Sequence, residues 1–183
     1  MKNQSLTEML FILVIGQYIA NIIQVQWMQK QYHINYAFLD VDKNGDLQLT
    51  DEYADFQMAT LPELEGLSYG APYAGVIGAL IILKIKNPHL KLGISVGGWS
   101  KTGNFHDIAK DKVKRQNFAS NLTKFIDYIG FDFVDIDWEH PTVSRDGCPG
   151  GPEDTENFTL LMKGLRNALD NLGEKMEDIM NYL

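Results

Sequence analysis

Between Phe131 and Pro141 the chain reads Phe-Asp-Phe-Val-Asp-Ile-Asp-Trp-Glu-His-Pro. β-Branched and aromatic side chains alternate there with acids at every second place, which is the pattern of a strand. Successive strand side chains point to opposite faces, so Asp135, Asp137 and Glu139 share one side and Val134, Ile136 and Trp138 the other. Neighbours on one side are roughly 6.5–7 Å apart, so three carboxylates on a buried face repel one another and resist desolvation. At least one is expected to keep its proton near neutral pH, and the set to titrate as a coupled unit. A protonated carboxyl beside an ionised one is what general acid catalysis needs, as at a glycosidic oxygen. The plainer alternatives are a solvated strand edge or a site of hard oxygen ligands for a metal. Against them, the apolar residues demand burial on their side. Pro141 stops the strand just after Glu139, at the end where parallel α/β barrels keep their chemistry.

Asp132-x-x-Asp135-x-Asp137-x-Glu139 resembles the DxxDxDxE signature of glycoside hydrolase family 18, the chitinases and their relatives. Phe133 departs from it, standing where the family often has glycine; by the alternation it points inward below Asp135 and fills the floor. A second match is Ser95-Val96-Gly97-Gly98-Trp99-Ser100, similar to the SxGG motif ending the family's third barrel strand. Two glycines let the backbone pass where no Cβ would fit. Phe11–Tyr18, His33–Leu39 and Glu156–Leu161 resemble the family's first strand, second strand and fourth helix, although Gln17 replaces the aromatic usual at its place.

The resemblance runs from about residue 10 to 172 and implies an α/β fold, a partial (β/α)8 barrel of about its first four β/α units. It implies retaining, substrate-assisted hydrolysis of β-1,4 bonds between N-acetylglucosamine units in chitin or chitooligosaccharides. Glu139 would protonate the leaving oxygen while the substrate's acetamide oxygen attacks the anomeric carbon; Asp137 would orient that acetamide, with Asp135, Ser95 and Asp132 behind it. Gly97, Gly98 and Trp99 would contact substrate. An endo-β-N-acetylglucosaminidase and a non-hydrolytic chitin-binding lectin share the fold, though such lectins generally lose the acid and Glu139 is intact. No cofactor or metal is implied, and the parent protein is expected to be extracellular, that is, secreted.

A complete eight-stranded barrel takes about 250 residues, and this chain has 183. The family's acetamide-holding aromatic-acid-aromatic set and floor tryptophan belong to later strands. Residues 1–9 read as an extension or signal remnant, 10–173 as an incomplete catalytic domain and 174–183 as a tail. The apolar run Met9–Ile15 fits either a secretory signal or a first strand; the strand fits better, because the basic region before it is thin and Glu8 adjoins it. Gln17, Asn21, Gln24 and Gln26 cut the run short of the ~20 apolar residues of a membrane span. A net charge of −8 argues against a nucleic-acid partner. The single cysteine, Cys148, excludes an internal disulfide and reads as a passive thiol.

Asp40-x-Asp42-x-Asn44-Gly45 with Asp51 nearly reproduces an EF-hand calcium loop. The preceding residues are strand-like rather than helical, and the last ligand position is Asp rather than a bidentate Glu. Calcium at Asp40, Asp42, Asn44 and Asp51 is therefore not expected; a turn at Asn44-Gly45 closing a short ribbon is. Residues 61–75 are rich in Pro, Gly and aromatics and read as a long loop, whose Tyr69 and Tyr73 would line a sugar groove or pin the loop to the barrel. Val76–Lys86 reads as an apolar helix and Lys91–Val96 as a strand. Asp111–Ile129 reads as an amphipathic helix stopped by Gly130, and a further helix starts at Asp154 or Thr155.

Overall fold

The structure, a computed structural model, describes residues 11–15, 33–58 and 74–182. Strands β1 (Phe11–Ile15), β2 (His33–Val41), β3 (Leu47–Gln48), β4 (Lys91–Gly97) and β5 (Phe133–Asp137) form one sheet in the order β1-β2-β4-β5, with β3 beside β2. Helices α1 (Glu52–Phe56) and α2 (Gly75–Lys86) separate β3 from β4. Helices α3 (Phe105–Lys110) and α4 (Lys112–Ile129) separate β4 from β5, and α5 (Asp154–Tyr182) follows. Strand–helix–strand crossovers of this kind are the unit of a parallel α/β sheet. Among the described residues no helix is long and apolar enough to cross a membrane.

The chain divides into two compact units, one of residues 1–38, 49–95 and 131–135 and the other of 39–48, 96–130 and 136–183. In the first, β1 pairs parallel with β2, Phe11 opposite His33 and Ile15 opposite Ala37, so residues 11–15 are a strand, as the better of their two readings held. α2 buries Val76, Ile77, Ala79 and Leu80, and Leu92 and Ile94 of β4 are fully covered. Gly93 leaves the gap that the Phe133 ring fills, since a Cβ there would lie 2.2 Å from that ring. Phe133 also meets the His33 ring at 5.5 Å, on the side of the strand that Asp135 shares.

Tyr36 donates its hydroxyl to the carboxylate of Asp55, and both residues are buried. Burial, with the Asp55 carboxylate alongside, pushes the Tyr36 phenol far above its usual range. Burial likewise raises Asp55, and the Tyr36 hydroxyl only partly offsets it. A carboxyl raised in the folded state favours folding below its unfolded pKa and loses that contribution as pH rises through the folded value. Tyr36→Phe removes the donor that eases the charged form, so it should cost about 1–3 kcal/mol. The cost should be larger at pH 7 than near pH 4, as read by denaturant unfolding at both; an equal loss at the two pH values would contradict the pairing.

In the second unit β3 runs antiparallel to the end of β2, Val41 opposite Leu47, closed by Gly45 at φ +89. The expected turn and ribbon are present. Asp42 accepts the N–H groups of Asn44 (2.8 Å) and Asp46 (2.9 Å), and Asp46 in turn accepts from Asn117 and Asn121 of α4, each at 2.8 Å. Asp40 takes the Val41 N–H, and in the first unit Asp51 caps α1 through Ala54. These carboxylates serve backbone and amide donors; among the described residues no group of three or more His, Cys, Asp or Glu is placed to hold a metal. Phe105 is wholly buried between Phe118 (6.0 Å, edge-on) and Trp138 (5.8 Å, stacked), and Trp138 meets Phe158 of α5 at 5.5 Å. α4 is capped by Asp111, which accepts from Val113 and Lys114, and is ended by Gly130 at φ +87.

Three features differ from expectation. β5 ends at Asp137 rather than Glu139, because β4 ends at Gly97 and the Asp137 carbonyl takes the Gly98 N–H at 2.8 Å, after which no strand backbone is left to pair. α5 runs through Gly173 to Tyr182, so the helix itself continues past residue 173. A mid-helix glycine costs only about 1 kcal/mol, and Glu174, Lys175, Met176 and Glu177 after it are good helix formers. Helix α3, six residues burying Phe105, Ile108 and Ala109, was too short to announce itself by periodicity.

Candidate active site

The acids that alternate in sequence fall where β5 ends. Asp135 and Asp137 are two apart on the strand and share a side; Glu139 lies two residues past its end. Ser95, fully buried near the end of β4, donates its hydroxyl to Asp135 Oδ2 at 2.8 Å. A hydroxyl donor to one oxygen fixes the orientation of the carboxylate.

Past Asp135, in the second unit, the two glycines bring the β4 backbone against that of β5. Gly97 has φ +111, and a Cβ on it would sit 2.4 Å from the Asp137 carbonyl oxygen; Gly98 donates to that same oxygen. The Glu139 N–H finds the hydroxyl of Thr102, itself buried, at 3.2 Å, and the Glu139 carbonyl accepts from Arg145 at 3.0 Å. The Glu139 side chain is 29% exposed, with His140 Nε2 3.8 Å from its Oε2. It is thus anchored through its backbone and open at its carboxyl, as a group that must deliver a proton to an incoming bond has to be. Trp99, the residue after the glycine pair, is 62% exposed.

The loop between β5 and α5 is tied down by Asp154, which is fully buried. Its carboxylate accepts the Thr142 N–H (3.1 Å) and the Gly151 N–H (2.9 Å), and lies 2.8 Å from His106 Nδ1 on α3. Cys148, in the same loop, is buried and free, with its backbone paired to that of Arg145.

Asp132 stands apart from this group. It precedes β5, about 10 Å along the strand from Asp135. There it binds Lys84 (2.8 Å), Lys91 (3.3 Å) and the Leu92 N–H (2.9 Å). Burial pulls its carboxyl up, but Lys84, the Leu92 amide and Lys91 outweigh that and hold it below the ordinary range. This joins α2 to β4, a task in holding the fold together. Tyr69 and Tyr73 lie outside the described residues. Thr102 and Arg145 carry no motif, and the only local sign of Arg145 is a lone arginine in a glycine- and proline-rich loop beside the acids.

Residues 11–182 match the sequence model of the family described as Glycosyl hydrolases family 18. Chitinase A1 of Niallia circulans is 40% identical over 131 residues, 71% of this chain and 18% of that protein. Probable chitinase 2 of Drosophila melanogaster is 38% identical over 144 residues, 77% of this chain and 26% of its own. Of solved structures, chitinase ChiA74 from Bacillus thuringiensis is similar with a TM-score of 0.77 and 31% identity, covering 90% of this chain and 32% of the other. The Ostrinia furnacalis Group IV chitinase in complex with allosamidin gives 0.65 at 28% identity, over 89% of this chain and 40% of its own. The chain therefore spans about a fifth to two fifths of the length of these relatives. Its α/β succession fits part of a (β/α)8 barrel. Two motifs at their strand ends, a serine hydroxyl on the lower acid and a match along nearly the whole length lead to one assignment: the chain belongs to glycosyl hydrolase family 18, a family of glycosidases.

Proposed function

We propose that this chain carries the acid-bearing part of a secreted chitinase, about the first four β/α units of the barrel, acting on β-1,4-linked N-acetylglucosamine. Glu139 gives its proton to the glycosidic oxygen, and the C–O bond to the leaving sugar breaks as the acetamide oxygen of the retained sugar closes on the anomeric carbon. Asp137 holds that acetamide and steadies the positive charge it gains; water then opens the cyclic ion and returns the proton to Glu139. Asp135, oriented by the Ser95 hydroxyl, supports Asp137 from two residues earlier on the strand. The observation that supports this most is the Ser95–Asp135 hydrogen bond of 2.8 Å, which ties the serine of one motif to an acid of the other. The relatives cited above are likewise named chitinases, one of them a probable chitinase.

Turnover of a fluorogenic chitooligosaccharide by the 183-residue chain, alone and joined to the C-terminal part of the ChiA74 barrel, tests the reading. The joined protein should release fluorophore steadily, and the chain alone should be impaired, since the family's acetamide-holding residues belong to later strands. A well-folded joined protein with no turnover of any chitooligosaccharide would refute it.

A further inference from the structure

We propose that Arg145 is a positioning residue: it fixes the plane of the exposed Trp99 ring and, through the same side chain, the backbone of Glu139, so that a sugar stacked on Trp99 stands at a set distance from the acid. The proposal rests on the chitinase reading for its sugar and on geometry alone for its pin.

The guanidinium carbon of Arg145 lies 4.2 Å from the centroid of the Trp99 ring. Its Nη2 donates to the carbonyl of Trp99 and, at 3.0 Å, to that of Glu139. One planar cation thus reaches the residue after the glycine pair, the ring that residue carries and the second residue past β5. Arg145 is itself held, its N–H donating to the Cys148 carbonyl at 3.0 Å and its carbonyl accepting from Cys148 at 2.9 Å, with Cys148 buried.

The arrangement is poorly explained by stability. Arg145 Nε is buried without a hydrogen-bond partner, a burial that costs free energy. A methionine would cover the ring without that penalty. What arginine adds is direction: a large exposed side chain otherwise samples several rotamers, and ordering it on binding weakens affinity. A guanidinium face on an indole, anchored by two carbonyls, removes that freedom beforehand. The cation covers one face and His140 stands edge-on at 6.4 Å, which leaves the opposite face of a 62% exposed residue for the apolar face of a pyranose.

The test is ¹⁹F NMR of the 183-residue chain labelled with 5-fluorotryptophan, the Trp99 line being the one lost in Trp99→Phe and the Trp138 line reporting the core. In Arg145→Lys and Arg145→Met the Trp99 line should move toward the position of free tryptophan and narrow, while the Trp138 line stays. An unmoved Trp99 line, or loss of the native Trp138 line in both variants, would overturn the proposal, the latter by making Arg145 a structural residue. Titration with chitotetraose then tests the purpose of the pin. The dissociation constant should rise about three- to tenfold in Arg145→Met and should not rise further when that change is added to Trp99→Ala. Full additivity of the two changes would mean that Arg145 does not act through Trp99. If the wild-type chain binds no chitooligosaccharide, the titration is read on the joined protein, where absence of binding refutes the chitinase reading, and the ¹⁹F comparison still decides whether Arg145 fixes the ring.

Discussion

Glu139→Gln should lower the turnover of a chitooligosaccharide by the joined protein about 10²–10⁴-fold, the range that a positioned general acid supplies. Glutamine keeps the shape and the backbone contacts to Thr102 and Arg145 but has no proton to give. Substrate binding should therefore stay nearly unchanged and the loss should fall on kcat. The carboxyl is partly exposed, so the substitution strips no buried charge from a partner and should leave the melting temperature within a degree or two of wild type. A variant that retains more than a tenth of wild-type turnover would move the acid elsewhere, and the next residue to try is Asp137.

Gly97→Ala is the second large effect. At φ +111 an L-residue is strained, and the added Cβ would lie 2.4 Å from the Asp137 carbonyl oxygen and 2.8 Å from the Phe105 ring. Neither neighbour yields cheaply, since one is backbone and the other a fully buried ring. Strain and overpacking together should cost about 2–5 kcal/mol. Gly130→Ala separates the two terms. It too has positive φ, +87, but a Cβ there meets nothing within 4 Å, so only the strain of about 1–2 kcal/mol remains. Denaturant unfolding of both variants reads the difference directly. In whatever Gly97→Ala protein still folds, the end of β5 must shift to make room, and a shift of about 1 Å costs on the order of 10²-fold in rate. Equal destabilisation of the two variants would mean that the close approach of β4 to β5 carries no weight.

What sequence made legible is whatever repeats or has a fixed local chemistry. Alternation at period two exposed β5, and β-branched and aromatic content exposed β2; three- and four-residue spacing between Asp111 and Gly130 exposed α4, cap and stop included. Gly97-Gly98 signalled a close backbone passage before the position of Asp137 was known. Relations between distant side chains carry no such period. Nothing in residues 141–153 says that the arginine folds back on Trp99 and Glu139, and Asp154 reads as a helix cap although its oxygens serve a loop and His106. Tyr36 and Asp55 each look like surface-compatible residues until the sheet and α1 bring them together. Asp132 was placed behind the catalytic acids by its motif; the two lysines that bind it sit 48 and 41 residues earlier in the chain.

Asp154 has a consequence for how such a protein can change. Because one carboxylate seizes the chain at residue 142 and again at 151, the segment between those clasps is a cassette. Its length and chemistry can be exchanged, provided the guanidinium at 145 is kept, without transmitting a shift back to Glu139 or forward into α5. Diversification can proceed there by insertion and replacement while the residues upstream stay in place.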